Sequence, residues 1–259
     1  MSYRNTSRRS GSAKDRTIFL GDTHGHDTWK AIIAYANPDR VVFIGDYFDS
    51  RVKELTAAVQ MFNMNEIIEF KKTGVMEVIL LIGNHDYHYF PEIGYNGTSG
   101  YQSGAANEIG RLLNENREHF QMAYLLDNVL CTHAGVGYDW LMNQIYYNPE
   151  VDPIDKYIND FWKYKPKSFQ FAGIDPYGDS KTQTPIWIRP YSLMSGNKDT
   201  FLKEEYIQIV GHTTVDTIDM GKATGGRYYF IDTLGKSGEF LIYEDGVFSK
   251  DTIWNKINK

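Results

Sequence analysis

Five times in this chain a run of apolar and β-branched residues stops at a residue of metal-ligand type, and that recurrence constrains the fold more than any other feature. The runs are Thr17-Ile18-Phe19-Leu20, followed by Gly21-Asp22-Thr23-His24-Gly25-His26; Val41-Val42-Phe43-Ile44, followed by Gly45-Asp46; and Val78-Ile79-Leu80-Leu81-Ile82, followed by Gly83-Asn84-His85-Asp86. The last two are Val129-Leu130-Cys131-Thr132, followed by His133, and Ile207-Gln208-Ile209-Val210, followed by Gly211-His212. A short apolar run bounded by glycine reads as a buried strand. Gly21 and Gly25 permit sharp exits, so Asp22 and His24 can project from the end of the first strand into one pocket. One such pair alone describes a hydrogen-bonded turn. Five strand ends are different, because α/β sheets gather ligands outside the carboxyl ends of their strands.

The segments between these strands read as helices and loops. Asp27 is a plausible N-cap, and Trp29, Ile32, Ile33 and Ala36 share one helical face before Pro38, which marks a crossover helix. A second helix is expected over 54–72, with Leu55, Val59, Phe62, Ile67 and Phe70 inward, Lys71 and Lys72 at its negative end and Gly74 as its stop. The strand over 77–82 is near-continuously apolar, as expected of a central strand covered on both faces. A long loop over 91–104 and a helix over 105–118 follow. Ile154, Tyr157, Ile158, Phe161 and Trp162 mark a further helix, ended before Pro166. The stretch 165–190 holds four prolines and several aromatic residues and reads as a loop covering a site. Segments 227–233 and 239–244 read as antiparallel strands of a second sheet.

Bulk properties narrow the function classes. A chain of 259 residues without a Pro- or Ser-rich linker is expected to form one domain over 16–259. Residues 1–15 carry Arg4, Arg8, Arg9 and Lys14 and little to bury; they read as a solvated, disordered tail rather than a transit peptide. The net charge of -6, with Lys and Arg dispersed among Asp and Glu, disfavours a nucleic acid partner. No apolar run reaches membrane-spanning length. The single cysteine excludes an intrachain disulfide and fits a reducing compartment, so a cytoplasmic location is expected. Cys131, inside an apolar strand, reads as a buried inert thiol.

The ordered set GD-x-HG, GD-x-x-D, GNHD, a lone His after a strand, and GHT resembles the calcineurin-like metallophosphoesterases over about residues 17 to 235. That superfamily includes phosphoprotein phosphatases and symmetrical diadenosine tetraphosphatases. The resemblance implies an α/β fold, a two-sheet β-sandwich flanked by helices on both outer faces. It implies two divalent metal ions, with manganese expected and iron, zinc, nickel, cobalt or magnesium as alternatives. Carried over position by position, Asp22, His24 and Asp46 hold one ion, and Asp46, Asn84, His133 and His212 the other. Asp46 then bridges, which suits a carboxylate because each oxygen can take one ion of a pair roughly 3.5 to 4 Å apart. The neutral amide of Asn84 preserves the net positive charge that attracts an anionic phosphate.

In the family, water activated by the metals attacks phosphorus in line. The resemblance assigns His85 as the general acid for the leaving oxygen and Asp49 as the partner that fixes its tautomer. His26, His88 and His119 read as surface residues or as neighbours of the ligands, although the stretch GNHDYHY resembles diadenosine tetraphosphatases. Asp232 and Thr233 match an IDTG-type strand end without its glycine, and a structural role is expected. The chain also departs from the phosphoprotein phosphatases, which place arginines where Ser50 and Ile82 stand here. Arg51, one residue late, is one replacement; Arg189 in Trp187-Ile188-Arg189 resembles the phosphate arginine of tetraphosphatases and is the other. The substrate expected is a phosphoprotein or a small nucleotide, with a diadenosine-tetraphosphate-type anhydride as the alternative and a non-catalytic scaffold as a remote one.

Overall fold

The computed structural model describes residues 15–95, 99–172 and 179–254. The tail expected over 1–15 lies outside the described residues except for Asp15, as do 96–98 and 173–178 of the two expected loops. Among the described residues ten strands form two sheets. The first contains β1 (Thr17–Leu20), β2 (Arg40–Phe43), β3 (Glu77–Leu81), β4 (Phe120–Gln121), β9 (Glu239–Glu244) and β10 (Val247–Thr252), ordered β10-β9-β1-β2-β3-β4. The second contains β5 (Ala123–Leu126), β6 (Val129–Thr132), β7 (Ile207–Val210) and β8 (Tyr228–Phe230), ordered β5-β6-β7-β8. Strands β1 to β4 run parallel, as do β6 to β8.

The period-2 alternation of strand side chains explains how one apolar run serves two layers. Phe19, Val42, Ile79 and Leu81 of the first sheet meet Val129, Cys131, Ile209 and Tyr229 of the second between the sheets. Their neighbours Ile18, Leu20, Val41, Phe43 and Leu80 point the other way, against helices α1 (Thr28–Ala36) and α2 (Ala57–Lys72). Each large side chain so buried contributes about 1.5–3 kcal/mol. The outer face of the second sheet packs Val210 and Tyr228 against Leu193. The remaining helices are α3 (Asn84–Tyr87), α4 (Ala106–Glu115), α5 (Ile154–Tyr164), α6 (Pro190–Gly196) and α7 (Phe201–Glu205). The α/β sandwich with helices on its outer faces is the expected architecture.

Three expectations need correction. The β3 strand is not central; it is fifth of six and borders the two-residue β4. Segments 227–233 and 239–244 do not pair: β8 joins the second sheet parallel to β7, whereas β9 crosses to the first sheet, antiparallel to β1, because Leu241 then enters the layer that holds Phe19. Helix α2 starts at Ala57 behind a Thr56 cap, and Val59 and Phe62 are exposed rather than inward, at 40% and 66%. Its buried face is Gln60, Asn63, Met64, Ile67 and Ile68. The two amides are drawn inward because loops need them: Asn63 accepts from Trp29 Nε1 at 2.9 Å and donates to the His26 carbonyl at 3.2 Å.

Candidate metal centre

The parallel strands deliver their carboxyl ends to one edge of the sandwich. Asp22 follows β1, Asp46 follows β2, Asn84 follows β3, His133 follows β6 and His212 follows β7. Glycine makes the approach possible at two points: a Cβ on Gly83 or Gly211 would collide with Asp46 Oδ1 or Asp22 Oδ1. His24, Asp46, Asp49 and His212 adopt left-handed backbone angles, with φ of 42°, 54°, 62° and 62°. Such conformations cost non-glycine residues about 1 kcal/mol or more each and persist where the surroundings over-determine them. Asp86 is one cause here. Its buried carboxylate accepts from the N–H of Asp46 at 2.8 Å, of Tyr47 at 2.8 Å and of Gly83 at 2.9 Å, tying the ends of β2 and β3 together. Burial, then the neighbouring Asp46, pushes the Asp86 carboxyl up to about 7.

Ligand atoms lie within 4.8 Å of one another in each of two groups, one from Asp22, His24 and Asp46 and one from Asp46, His133 and His212. Asp46 belongs to both. Each imidazole is anchored through its far nitrogen to a backbone carbonyl. His24 Nδ1 donates to Phe48 O, His133 Nδ1 to Ile44 O at 3.0 Å, and His212 Nε2 to Trp187 O at 3.2 Å. Those acceptors assign the tautomers and leave the near nitrogens bare, in the manner of metal-binding histidines. His133 Nε2 then faces Asp46 Oδ2 at 3.3 Å and Asn84 Oδ1 at 3.0 Å, and His212 Nδ1 faces Asn84 Oδ1 at 2.9 Å. Bare nitrogens turned toward oxygen acceptors repel, unless a proton or a metal ion lies between them.

The electrostatics agree. Burial, then Asp232 and Asp46, raise the Asp22 carboxyl well above its ordinary range. Burial also opposes ionisation of Asp46, yet His133, His85 and His24 hold that carboxyl well below the usual value. Burial, then His133 and Arg189, hold His212 well below the usual imidazole value, so it is neutral and able to ligate. Crowded carboxylates and the neutral imidazole of His212 are donors that divalent cations take, and these residues fit such ions.

Beside this cluster opens a cavity of about 640 Å³. His85 lines it, and its Nδ1 lies 2.9 Å from Asp49 Oδ2. Burial lowers the affinity of His85 for a proton, but Asp46 and Asp49 outweigh it and leave its pKa raised. Arg189 reaches the cavity from the N-cap of α6, and its Nη1 donates to His212 O at 3.2 Å and Thr213 Oγ1 at 3.0 Å. Burial lowers its pKa against the pull of nearby carboxylates. Arg51 lines the same cavity from an exposed position, within 3.5 Å of Ser99 Oγ. Phe171 and Trp187, from the expected covering stretch, form an aromatic wall with ring centroids 5.1 Å apart.

All the residues expected in the site therefore meet at one edge, and His26 joins the lining, whereas His119 does not. Asp232 is nearly buried in the cavity wall, where it accepts the Thr214 hydroxyl at 2.6 Å and so braces the segment that follows His212. Sequence reasoning missed the bracing role of Asp86, the aromatic pair, and Lys236 at the cavity rim. For Asp86 a signal existed, an acid two residues after the amide of GNHD. Cys131 is fully buried, as expected, and burial alone raises its thiol far above the ordinary range.

The model of a family described as calcineurin-like phosphoesterase matches residues 16–234. Among solved structures, a cold-active protein-tyrosine phosphatase from a psychrophilic Shewanella is 18% identical with a TM-score of 0.60, over 92% of this chain and 78% of that one. A protein serine/threonine phosphatase from Saccharomyces cerevisiae is 14% identical with a TM-score of 0.49, over 92% and 79%. At 18% identity the likeness to the Shewanella structure concerns the fold. No curated protein sequence matches the chain significantly.

Proposed function

Because the chain belongs to the calcineurin-like phosphoesterase family, we propose that it is a dinuclear metal-dependent phosphatase acting on a phosphate ester of a phosphoprotein or a small nucleotide. The observation that carries this reading is the orientation of His24, His133 and His212, each tied by one nitrogen to a carbonyl and turned by the other toward Asp46 or Asn84. Asp22, His24 and Asp46 would hold one ion, and Asp46, Asn84, His133 and His212 the other, with manganese the expected metal. Such ions supply an activated water as nucleophile and the charge that stabilises the phosphoryl oxygens.

The chain's own residues do the rest. His85 holds a proton for the leaving oxygen on Nε2, while Asp49 accepts its Nδ1–H and fixes the ring. Arg189 pairs with phosphate oxygens as a planar fork, and Arg51 at the rim is the second candidate for that role. The aromatic wall of Phe171 and Trp187 favours a second reading, hydrolysis of a diadenosine-tetraphosphate-type anhydride, since a nucleobase could stack there. Among the described residues no helix is long and apolar enough to cross a membrane. The single cysteine accompanies our inference of a cytoplasmic location.

Elemental analysis of the active protein tests the metal centre. Two ions per chain are expected, and Asp46→Asn should abolish activity and loosen both. One tightly held ion in fully active enzyme overturns the dinuclear reading. A panel of p-nitrophenyl phosphate, phosphopeptides, ATP and diadenosine tetraphosphate with manganese then separates the two substrate readings.

A further inference from the structure

An imidazole buried without a well-aligned hydrogen bond is costly, and the chain buries one beside the proton donor. His88 is 1% exposed. Its ring lies edge-on between Tyr89 and Tyr101, with centroids 4.4 and 4.9 Å away and interplanar angles of 87°. Neither ring nitrogen makes a well-aligned hydrogen bond among the described residues, but Nε2 stands 2.9 Å from Asp49 Oδ2 in a bent approach. That oxygen also faces His85 Nδ1, at 2.9 Å. Two lone pairs on one oxygen thus meet two imidazoles.

Local sequence produces this arrangement. His85 in α3 and His88 at its C-cap are three residues apart, so one helical turn places both on the face toward Asp49. The other Asp49 oxygen is taken by the Tyr89 hydroxyl and by Gln102 Nε2 at 3.3 Å. Gln102 is itself held, since its N–H donates to Tyr89 Oη at 2.8 Å and its amide to Gln60 Oε1 at 2.9 Å. A carboxylate with one partner can rotate out of line. One contacted on both oxygens stays where His85 needs it.

We propose that His88 is a positioning residue for the Asp49–His85 pair: as the Nε2–H tautomer it donates to Asp49 Oδ2 and locks the carboxylate orientation that keeps the His85 ring aimed at the leaving oxygen. The assignment rests on His85 being the proton donor of the proposed phosphatase. It also explains why a polar ring occupies an aromatic niche that phenylalanine would fill at lower cost.

The test uses the manganese-loaded full chain and two substitutions. His88→Phe keeps an aromatic ring between Tyr89 and Tyr101 but removes the donor, while His88→Gln keeps an amide N–H near the Nε2 position. Turnover is measured on a series of phosphate monoesters running from phenyl phosphate, a poor leaving group, to p-nitrophenyl phosphate, a better one. For His88→Phe, kcat on phenyl phosphate should fall on the order of tenfold, a fraction of what a general acid contributes. The effect on p-nitrophenyl phosphate should be small, with KM and metal content unchanged, and His88→Gln should recover most of the loss. Retained kcat in His88→Phe with loss in His88→Gln would show that the ring only packs, and overturn the proposal. An equal drop on every substrate would overturn it as well. His85→Asn in the same series separates the two layers: without leaving-group dependence there, the proton-donor reading falls and takes this one with it. With such dependence there and none in His88→Phe, only the role of His88 is refuted.

Discussion

Replacing Asn84 with aspartate adds one negative charge at the buried point where His133 and His212 converge, 3.0 and 2.9 Å from its Oδ1. In the proposed centre two divalent ions carry four positive charges, and Asp22, Asp46 and a hydroxide cancel three. A further carboxylate would cancel the fourth. At an effective dielectric constant of about 20, a unit charge about 5 Å from the phosphorus repels each unit of substrate charge by about 3 kcal/mol. That corresponds to a factor on the order of a hundred per substrate charge. A monoester dianion should suffer more than a diester monoanion. Asn84→Asp should therefore retain metal at least as well as the native chain while kcat/KM for p-nitrophenyl phosphate drops on the order of a hundredfold or more. Relative activity on bis(p-nitrophenyl) phosphate should rise at least about tenfold, allowing for partial screening by the ions. An unchanged ratio between the two substrates, with both metal sites filled, would refute the argument that the neutral amide preserves attraction for phosphate.

Two other substitutions probe the substrate side. Arg189→Lys should lower kcat/KM about ten- to a hundredfold, because a point-charge ammonium cannot reproduce a planar fork and each charged hydrogen bond is worth roughly 1.5–3 kcal/mol. Arg51→Ala should do little; steady-state kinetics that rank the two in reverse would move the phosphate-binding role to Arg51. His85→Asn should lose turnover on poor leaving groups on the order of a hundredfold or more while keeping its metal. Loss of metal in that variant would make His85 a ligand instead.

Much of the site was legible because each part is a local signal: an apolar run, a glycine, then Asp22, Asp46, Asn84 or His212. What makes them one site is the parallel arrangement of β1 to β3 and of β6 to β8, which sends all these ends to the same edge. The partners of β9 were not legible. Whether Glu239–Glu244 pairs with β8 or β1 depends on which layer accepts Leu241, and no neighbouring residue records that. Helix α2 misled for a related reason. Its apolar residues do not mark its buried face, because Gln60 and Asn63 turn inward to satisfy the Leu55 and His26 carbonyls, while Phe62 stays in solvent. The second turn of GNHDYHY was ambiguous too: His88 is buried, with Tyr89 and Tyr101 packed against its ring.

The two sheets contribute unequally to the centre. Asp22, His24, Asp46 and Asn84 hang from the first sheet, His133 and His212 from the second. An ion held by Asp46 together with His133 and His212 would consequently be a rivet through the open end of the sandwich, joining layers held elsewhere by apolar side chains and, between β5 and β3, by the Tyr124 hydroxyl on Glu77 at 3.4 Å. The folded state would then gain RT ln(1 + [L]/Kd) from each such ion, about 2.7 kcal/mol when free metal stands a hundredfold above its dissociation constant. Metal scarcity would act on this protein twice, stopping turnover and loosening the seam between its layers, so its lifetime as well as its rate would follow the supply of the ion.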